Sequence, residues 1–232
     1  AGVVVSLGEG GEGRPVAAIE ATGRFCALFH PLELKTELKC ILARVGVLAS
    51  RYGVPSRFDV RGDVAGLHVA KFAQFRNDDK FVCRADKDEA PRVHRKWNAV
   101  MFGQRGSRVY CRIYDKVLEL SKDDEKRKEY LNVNQMESLP EVLTRVEFEL
   151  RNEFFRETWN ARCLDEVFNS LGELVSYLMH DWLRFCSSVD FNHTERAKTV
   201  SWWAWLKSKM VAAAGVIGER PKAETLPPDP SR

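Results

Sequence analysis

Residues 108–116 read RVYCRIYDK, an alternation that sets Val109, Cys111 and Ile113 on one side against Arg108, Tyr110, Arg112, Tyr114 and Lys116 on the other. A period of two predicts a β-strand with one buried and one polar face. MFGQRGS, residues 101–107, supplies an apolar run and a glycine-bounded turn, so 101–116 reads as a hairpin. LTRVEFELRNE, residues 143–153, repeats the pattern, with Val146, Phe148 and Leu150 against Arg145, Glu147, Glu149 and Arg151. SRFDVRGD, residues 56–63, does so again, with Phe58, Val60 and Gly62 against Arg57, Asp59, Arg61 and Asp63. Three strands that share one habit predict a sheet with an apolar face to be covered and a polar face kept for something else.

Working outward, VVVSLGEGGEGRPVAAIEA (residues 3–21) predicts an N-terminal hairpin around a glycine-rich turn. Gly8, Gly10 and Gly13 have the spacing of a nucleotide loop, but Glu9 and Glu12 would repel a phosphate and Pro15 leads into another strand-like run. Leu34, Leu38, Ile41, Leu42, Val45 and Leu48 recur at three and four, which predicts a helix from Pro31 to Tyr52 ending near Gly53 and Pro55. A shorter helix is expected over Leu67–Phe75, then an irregular basic segment. Eight of the ten residues from Ser121 to Tyr130 are charged, the mark of a solvated loop or helix. Beyond Glu153, apolar residues at three-four spacing predict helices, the last carrying Trp202, Trp203 and Trp205 as packing residues. The expected fold is α+β: a curved, mostly antiparallel sheet with helices on one face and a C-terminal helical extension. The expected division is a sheet domain over 1–155, a helical extension over 156–216 and a Pro-rich, charged, disordered tail over 217–232.

A chain of 232 residues with 44% hydrophobic content can bury a substantial core. The net charge is only +3, yet residues 84–116 hold nine Lys or Arg against four Asp or Glu, which concentrates positive charge in one segment. Six cysteines lie far apart without a CxxC pair, as reduced core cysteines do, and the five histidines are isolated, so a zinc site is not expected. No long uninterrupted apolar stretch and no signal-like start are present, and the expectation is a soluble protein of the cytoplasm. Arg61-Gly62-Asp63 falls inside a strand and is not expected to serve as an adhesion loop.

The polar rows gather tyrosines, carboxylates and cations on one face. Carboxylates from neighbouring strands suit a hard cation such as Mg²⁺ or Mn²⁺. A tyrosine hydroxyl beside them can attack a phosphodiester, and the resulting link is reversible because tyrosine leaves more readily than a sugar hydroxyl. Free tyrosine has a pKa near ~10 and needs help, which a metal and the flanking Arg112 and Lys116 could give. Tyr114 and Tyr110 are both candidates on these grounds.

RVYCRIYDK, followed about thirty residues later by TRVEFELRNE and preceded by SRFDVRGD, resembles the replication initiation factor (Rep-trans) family, which includes rolling-circle initiators of plasmids and phages and relaxases of conjugative elements. The resemblance spans residues 50–155. It implies that Tyr114 nicks one origin strand and holds its 5′ phosphate. It implies a Mg²⁺ or Mn²⁺ ion on Asp59, Glu147 and Glu149, and phosphate contacts from Arg112, Lys116 and Arg145. Arg108 and Arg57 extend the expected DNA-binding set. Arg61 stands where the family has apolar residues before a further acid, which leaves open whether Asp63 is a second ligand. The implied partners are origin DNA, double-stranded and locally single-stranded, a host replicative helicase, and a second copy in a homodimer; no membrane is implied. The paired histidines of other rolling-circle nickases are absent from the sequence, and a strand-borne tyrosine does not match a tyrosine recombinase. A relaxase, a non-catalytic DNA-binding regulator of the same fold and a plain scaffold are the alternatives.

Overall fold

The structure, a computed structural model, describes residues 2–7, 17–46, 53, 55–93 and 95–215. Its strands are β1 (Val3–Leu7), β2 (Ala17–Ala21), β3 (Arg57–Ala65), β4 (Phe81–Cys83), β5 (Asp88–Glu89), β6 (Arg92–Val93), β7 (Lys96–Trp97), β8 (Ala99–Phe102), β9 (Val109–Asp115), β10 (Leu143–Arg151) and β11 (Leu183–Phe185). Its α-helices are α1 (Gly23–Cys26), α2 (Pro31–Arg44), α3 (Val69–Asn77), α4 (Lys116–Leu120), α5 (Asp124–Val133), α6 (Leu164–Asn169), α7 (Leu171–Tyr177) and α8 (Ser201–Ala214). Five strands form one open sheet in the order β3-β10-β9-β8-β5, each pair antiparallel. The expected α+β class is the one observed.

Register follows from the alternation. Val146 lies opposite Ile113 and Gly62, Phe148 opposite Cys111 and Val60, and Leu150 opposite Val109 and Phe58. A slip of one residue would turn all of them to the polar face. Helices cover the apolar face. At Gly62 an added Cβ would come within 2.7 Å of the Met210 sulfur, so the missing side chain is what lets α8 lie against β3. Trp203 is fully buried and donates its indole N–H to the Met179 carbonyl at 2.8 Å. Trp202 packs edge-on against Phe72 and Phe75, whereas Trp205 stays half exposed, so the packing expected of all three tryptophans holds for two. Residues from both sides of position 155 share this core.

Several expectations change in detail. The expected helix from Pro31 to Tyr52 stops at Arg44, and Gly46 just beyond it takes a φ of +78° that ends the helical path; residues 47–52 lie outside the described ones. The helix expected over Leu67–Phe75 runs two residues later. The segment expected to be irregular contains β4 to β7, too short for alternation to reveal. β11, three residues inside a stretch expected to be helical, pairs with β4. Phe154–Trp159 and Leu178–Trp182 are π-helical turns. The N-terminal hairpin forms as expected; its glycine-rich turn, His94 and the tail lie outside the described residues. Among the described residues the six cysteines are unbonded, and no helix is long and apolar enough to cross a membrane.

Candidate active site

β10 sits between β3 and β9, so its polar face receives side chains from both neighbours. Glu147 lies opposite Arg112 on one side and Arg61 on the other; Arg145 lies opposite Tyr114 and Asp63; Glu149 lies opposite Tyr110 and Asp59. Three charged residues of this strand are almost as buried as its core: Arg145 is 5% exposed, Glu147 7% and Glu149 5%. Such burial is tolerable only for charges that are paired and hydrogen-bonded.

The pairing separates into three groups. In the first, Tyr114 donates its hydroxyl proton to Glu147 Oε2 at 3.1 Å, and Arg112 donates to Glu147 Oε1. Burial, reinforced by the Glu147 charge, pushes the Tyr114 hydroxyl well above its ordinary pKa. In the second, Arg145 donates through Nε and Nη2 to the two oxygens of Asp63 at 2.6 and 2.7 Å, and the Tyr130 hydroxyl of α5 donates to the same carboxylate at 2.6 Å. Burial alone would raise the Asp63 carboxyl, but the Arg145 bonds and charge, with the Tyr130 hydroxyl, hold it below its usual value. In the third, Arg57 bonds Asp59 at 2.8 and 2.7 Å and reaches Glu149 at 3.0 Å, while Arg151 reaches the other Glu149 oxygen at 2.5 Å.

Tyr114, Arg112 and Tyr110 line a cleft of about 820 Å³, together with Asn98, Arg105 and Lys122. Tyr110 donates to the Met101 sulfur, and burial pushes its hydroxyl up as well. Of the tyrosines on the strand, Tyr114 alone is hydrogen-bonded to a carboxylate among the described residues. That bond singles it out as the one whose proton has an acceptor already in place.

The other candidates fall elsewhere than a single row on β9. Lys116 is not on the strand: β9 ends at Asp115, whose carboxylate accepts from Leu118 N at 2.9 Å and caps α4, so Lys116 opens that helix. There its ammonium pairs with Glu119 and lies 5.6 Å from the centre of the Tyr130 ring. Arg108 precedes the strand and pairs with Glu157 at 2.7 Å. Tyr130, which alternation could not flag because it lies on a helix, joins the site through Asp63.

Asp59, Glu147 and Glu149 share the face, as the resemblance implies for a Mg²⁺ or Mn²⁺ ion. Arginine pairs with all three acids in this structure, and among the described residues no three His, Cys, Asp or Glu side chains gather as a cage.

No protein-family model matches the sequence, and no curated protein does. Among solved structures the chain is similar to the rolling circle replication initiator protein from Geobacillus stearothermophilus, with 20% sequence identity and a TM-score of 0.55 over 89% of this chain and 72% of that one. Identity at that level speaks for a shared arrangement of strands and helices and leaves the chemistry to be argued from the site. The chain has the fold of a rolling circle replication initiator, which supports the resemblance carried by its three strand motifs.

Proposed function

We propose that the protein initiates rolling-circle replication by nicking and rejoining one DNA strand through Tyr114. The observation that carries this reading is the hydrogen bond from Tyr114 to Glu147, with Arg112 on the other carboxylate oxygen, at the wall of an open cleft. Tyr114 Oη attacks the scissile phosphorus, its proton passes to Glu147 Oε2, a P–O(Tyr) bond forms, and the bond from phosphorus to the 3′ oxygen breaks. The 3′ oxygen takes a proton from solvent and leaves as a free hydroxyl, with the 5′ phosphate held on the protein. Protonation of Glu147 removes the charge that engages Arg112, so the guanidinium is freed when negative charge grows on the phosphoryl oxygens. Attack by a 3′ hydroxyl on the phosphotyrosine runs the same steps backwards and closes the strand.

The proposal extends to origin DNA as substrate, a replicative helicase and a second copy as partners, the cytoplasm as the place of action, and Mg²⁺ or Mn²⁺ as a requirement. Whether Asp59, Glu147 and Glu149 exchange arginine for a divalent ion when DNA arrives is read by running the assay with EDTA and with graded Mn²⁺. A DNA-binding regulator of this fold is the second reading, favoured by the arginine pairing of every acid in the expected metal set.

Both readings meet in one experiment. Incubated with supercoiled DNA of its own replicon, the protein is expected to yield nicked circles and a covalent protein–DNA band that survives denaturation. Tyr114→Phe should abolish the band while leaving DNA affinity near wild type; a band that persists moves the nucleophile to Tyr110. Glu147→Gln should slow nicking by about 10²- to 10⁴-fold, the usual worth of a positioned base. Because the Tyr114 pKa is raised, the residual rate of that variant should climb with pH as hydroxide replaces the lost acceptor; a pH-independent residual rate would remove Glu147 from the proton's path.

A further inference from the structure

The sheet arginines named for DNA binding are already engaged: Arg57 by Asp59 and Glu149, Arg145 by Asp63, Arg108 by Glu157. A guanidinium neutralised by a carboxylate has little attraction left for a phosphate, so the backbone-binding cations must be sought elsewhere. One group adjoins the cleft along the chain. β6 and β7 form a short hairpin, with Arg92 opposite Trp97 and Val93 opposite Lys96. Arg92, Arg95 and Lys96 are exposed, and none has an ion pair to an acid among the described residues. Arg92 lies 3.8 Å over the Trp97 ring, which stiffens the base of the hairpin, and β7 rests against α3.

Chain direction ties this hairpin to the cleft. Asn98 follows Trp97 directly, lines the cleft, and accepts through its main-chain oxygen from Asp115 N at 3.1 Å. Ala99, the next residue, lies opposite Tyr114. Three steps of chain separate Lys96 from Ala99, at most about 10 Å at the strand rise. Arg95 has a φ of +64°, a conformation at ease with glycine or asparagine and rarely given to arginine. A long cation therefore stands at the turn where backbone comfort alone would select a small residue.

We propose that the β6–β7 hairpin is an arm that grips the phosphate backbone of duplex DNA next to the cleft, through Arg95 and Lys96, with Arg105 and Lys122 continuing the positive track along the cleft wall. The proposal rests on the reading of the cleft as a DNA site. Phosphate contacts of this kind position the duplex and carry no sequence information.

The test is a salt titration of binding to a short blunt duplex of arbitrary sequence, alongside cleavage of a single-stranded oligonucleotide containing the nick site. Arg95→Glu/Lys96→Glu should weaken duplex binding and flatten the slope of log K against log salt by about 1.8, about 0.9 for each phosphate no longer neutralised. Cleavage of the single strand should be unchanged. Arg95→Gly, which relaxes the backbone at the turn, should still weaken duplex binding, which separates loss of charge from loss of fold. Arg108→Gln should leave the slope at its wild-type value. Wild-type slopes in both hairpin variants, or a wild type that does not bind the duplex, would overturn the arm. A wild type that binds the duplex with the hairpin-dependent slope but never nicks would overturn the proposed function and leave the arm standing.

Discussion

On one face of β10, Val146, Phe148 and Leu150 are sealed under helices and aromatic rings; on the other, Arg145, Glu147 and Glu149 are hardly more exposed. The apolar face is held by contacts that carry no direction, so its residues can exchange for others of similar volume. The charged face is held by directed bonds between residues on different strands and on a helix, each needing its own partner. A buried charge pair adds little net stability over a hydrocarbon core, yet removing one partner strands the other. Keeping this face at that risk makes sense for a surface whose pairs are to be opened, one at a time, by a substrate of matching charge.

The comparison is broken first on the apolar side. Phe148 is fully buried and meets Trp182 edge-on with ring centroids 5.9 Å apart. Phe148→Ala should cost about 3–5 kcal/mol in a denaturant titration, and nicking should fall only as far as the folded population falls. An activity loss with stability intact would mean that the apolar face does more than hold the sheet.

On the charged side, Asp63→Asn leaves Arg145 buried beside a neutral partner, with an expected loss of about 3 kcal/mol near neutral pH. Here pH distinguishes the faces. A carboxyl held low in the folded chain adds stability that is fully present above its ordinary pKa of about 3.9 and is lost as pH falls through the folded value. The gap between wild type and Asp63→Asn should therefore be full at neutral pH and close below about pH 4. The Phe148→Ala gap should not show that closure. A pH-independent gap for Asp63→Asn would assign its effect to shape rather than to charge.

The strands that carry the site were legible because alternation marks faces directly, and β3, β9 and β10 each stand where the pattern of two placed them. Faces are not partners, however. Nothing local in the sequence ties Tyr130 to Asp63, which lie 67 positions apart, because the link depends on where α5 comes to rest over the sheet edge. Pairing between strands decides that Glu147 sits between Arg112 and Arg61, and that register emerges only when the apolar residues of all three strands face one core. Lys116 departs from the strand pattern for a different reason: the alternation of RVYCRIYDK continues formally through it, while the chain has already turned into a helix.

The signal for that turn was present in Asp115, an N-cap residue followed by KVLEL. Its effect should be the smallest of these and the most local. Asp115→Ala removes the carboxylate that accepts from Leu118 N, a change worth about 1 kcal/mol at a helix N-terminus. Tyr114 keeps its strand position, because its register with Arg145 and Ala99 does not pass through the cap. Lys116, on the first turn of α4, loses the fixed start that sets it beside Glu119 and the Tyr130 ring. The expected result is a slightly less stable protein whose Tyr114 still forms the covalent adduct, with tyrosine fluorescence or NMR reporting a looser Tyr130. If Asp115→Ala instead abolishes the adduct at full stability, Lys116 acts on the phosphate, and the helix cap is what aims it.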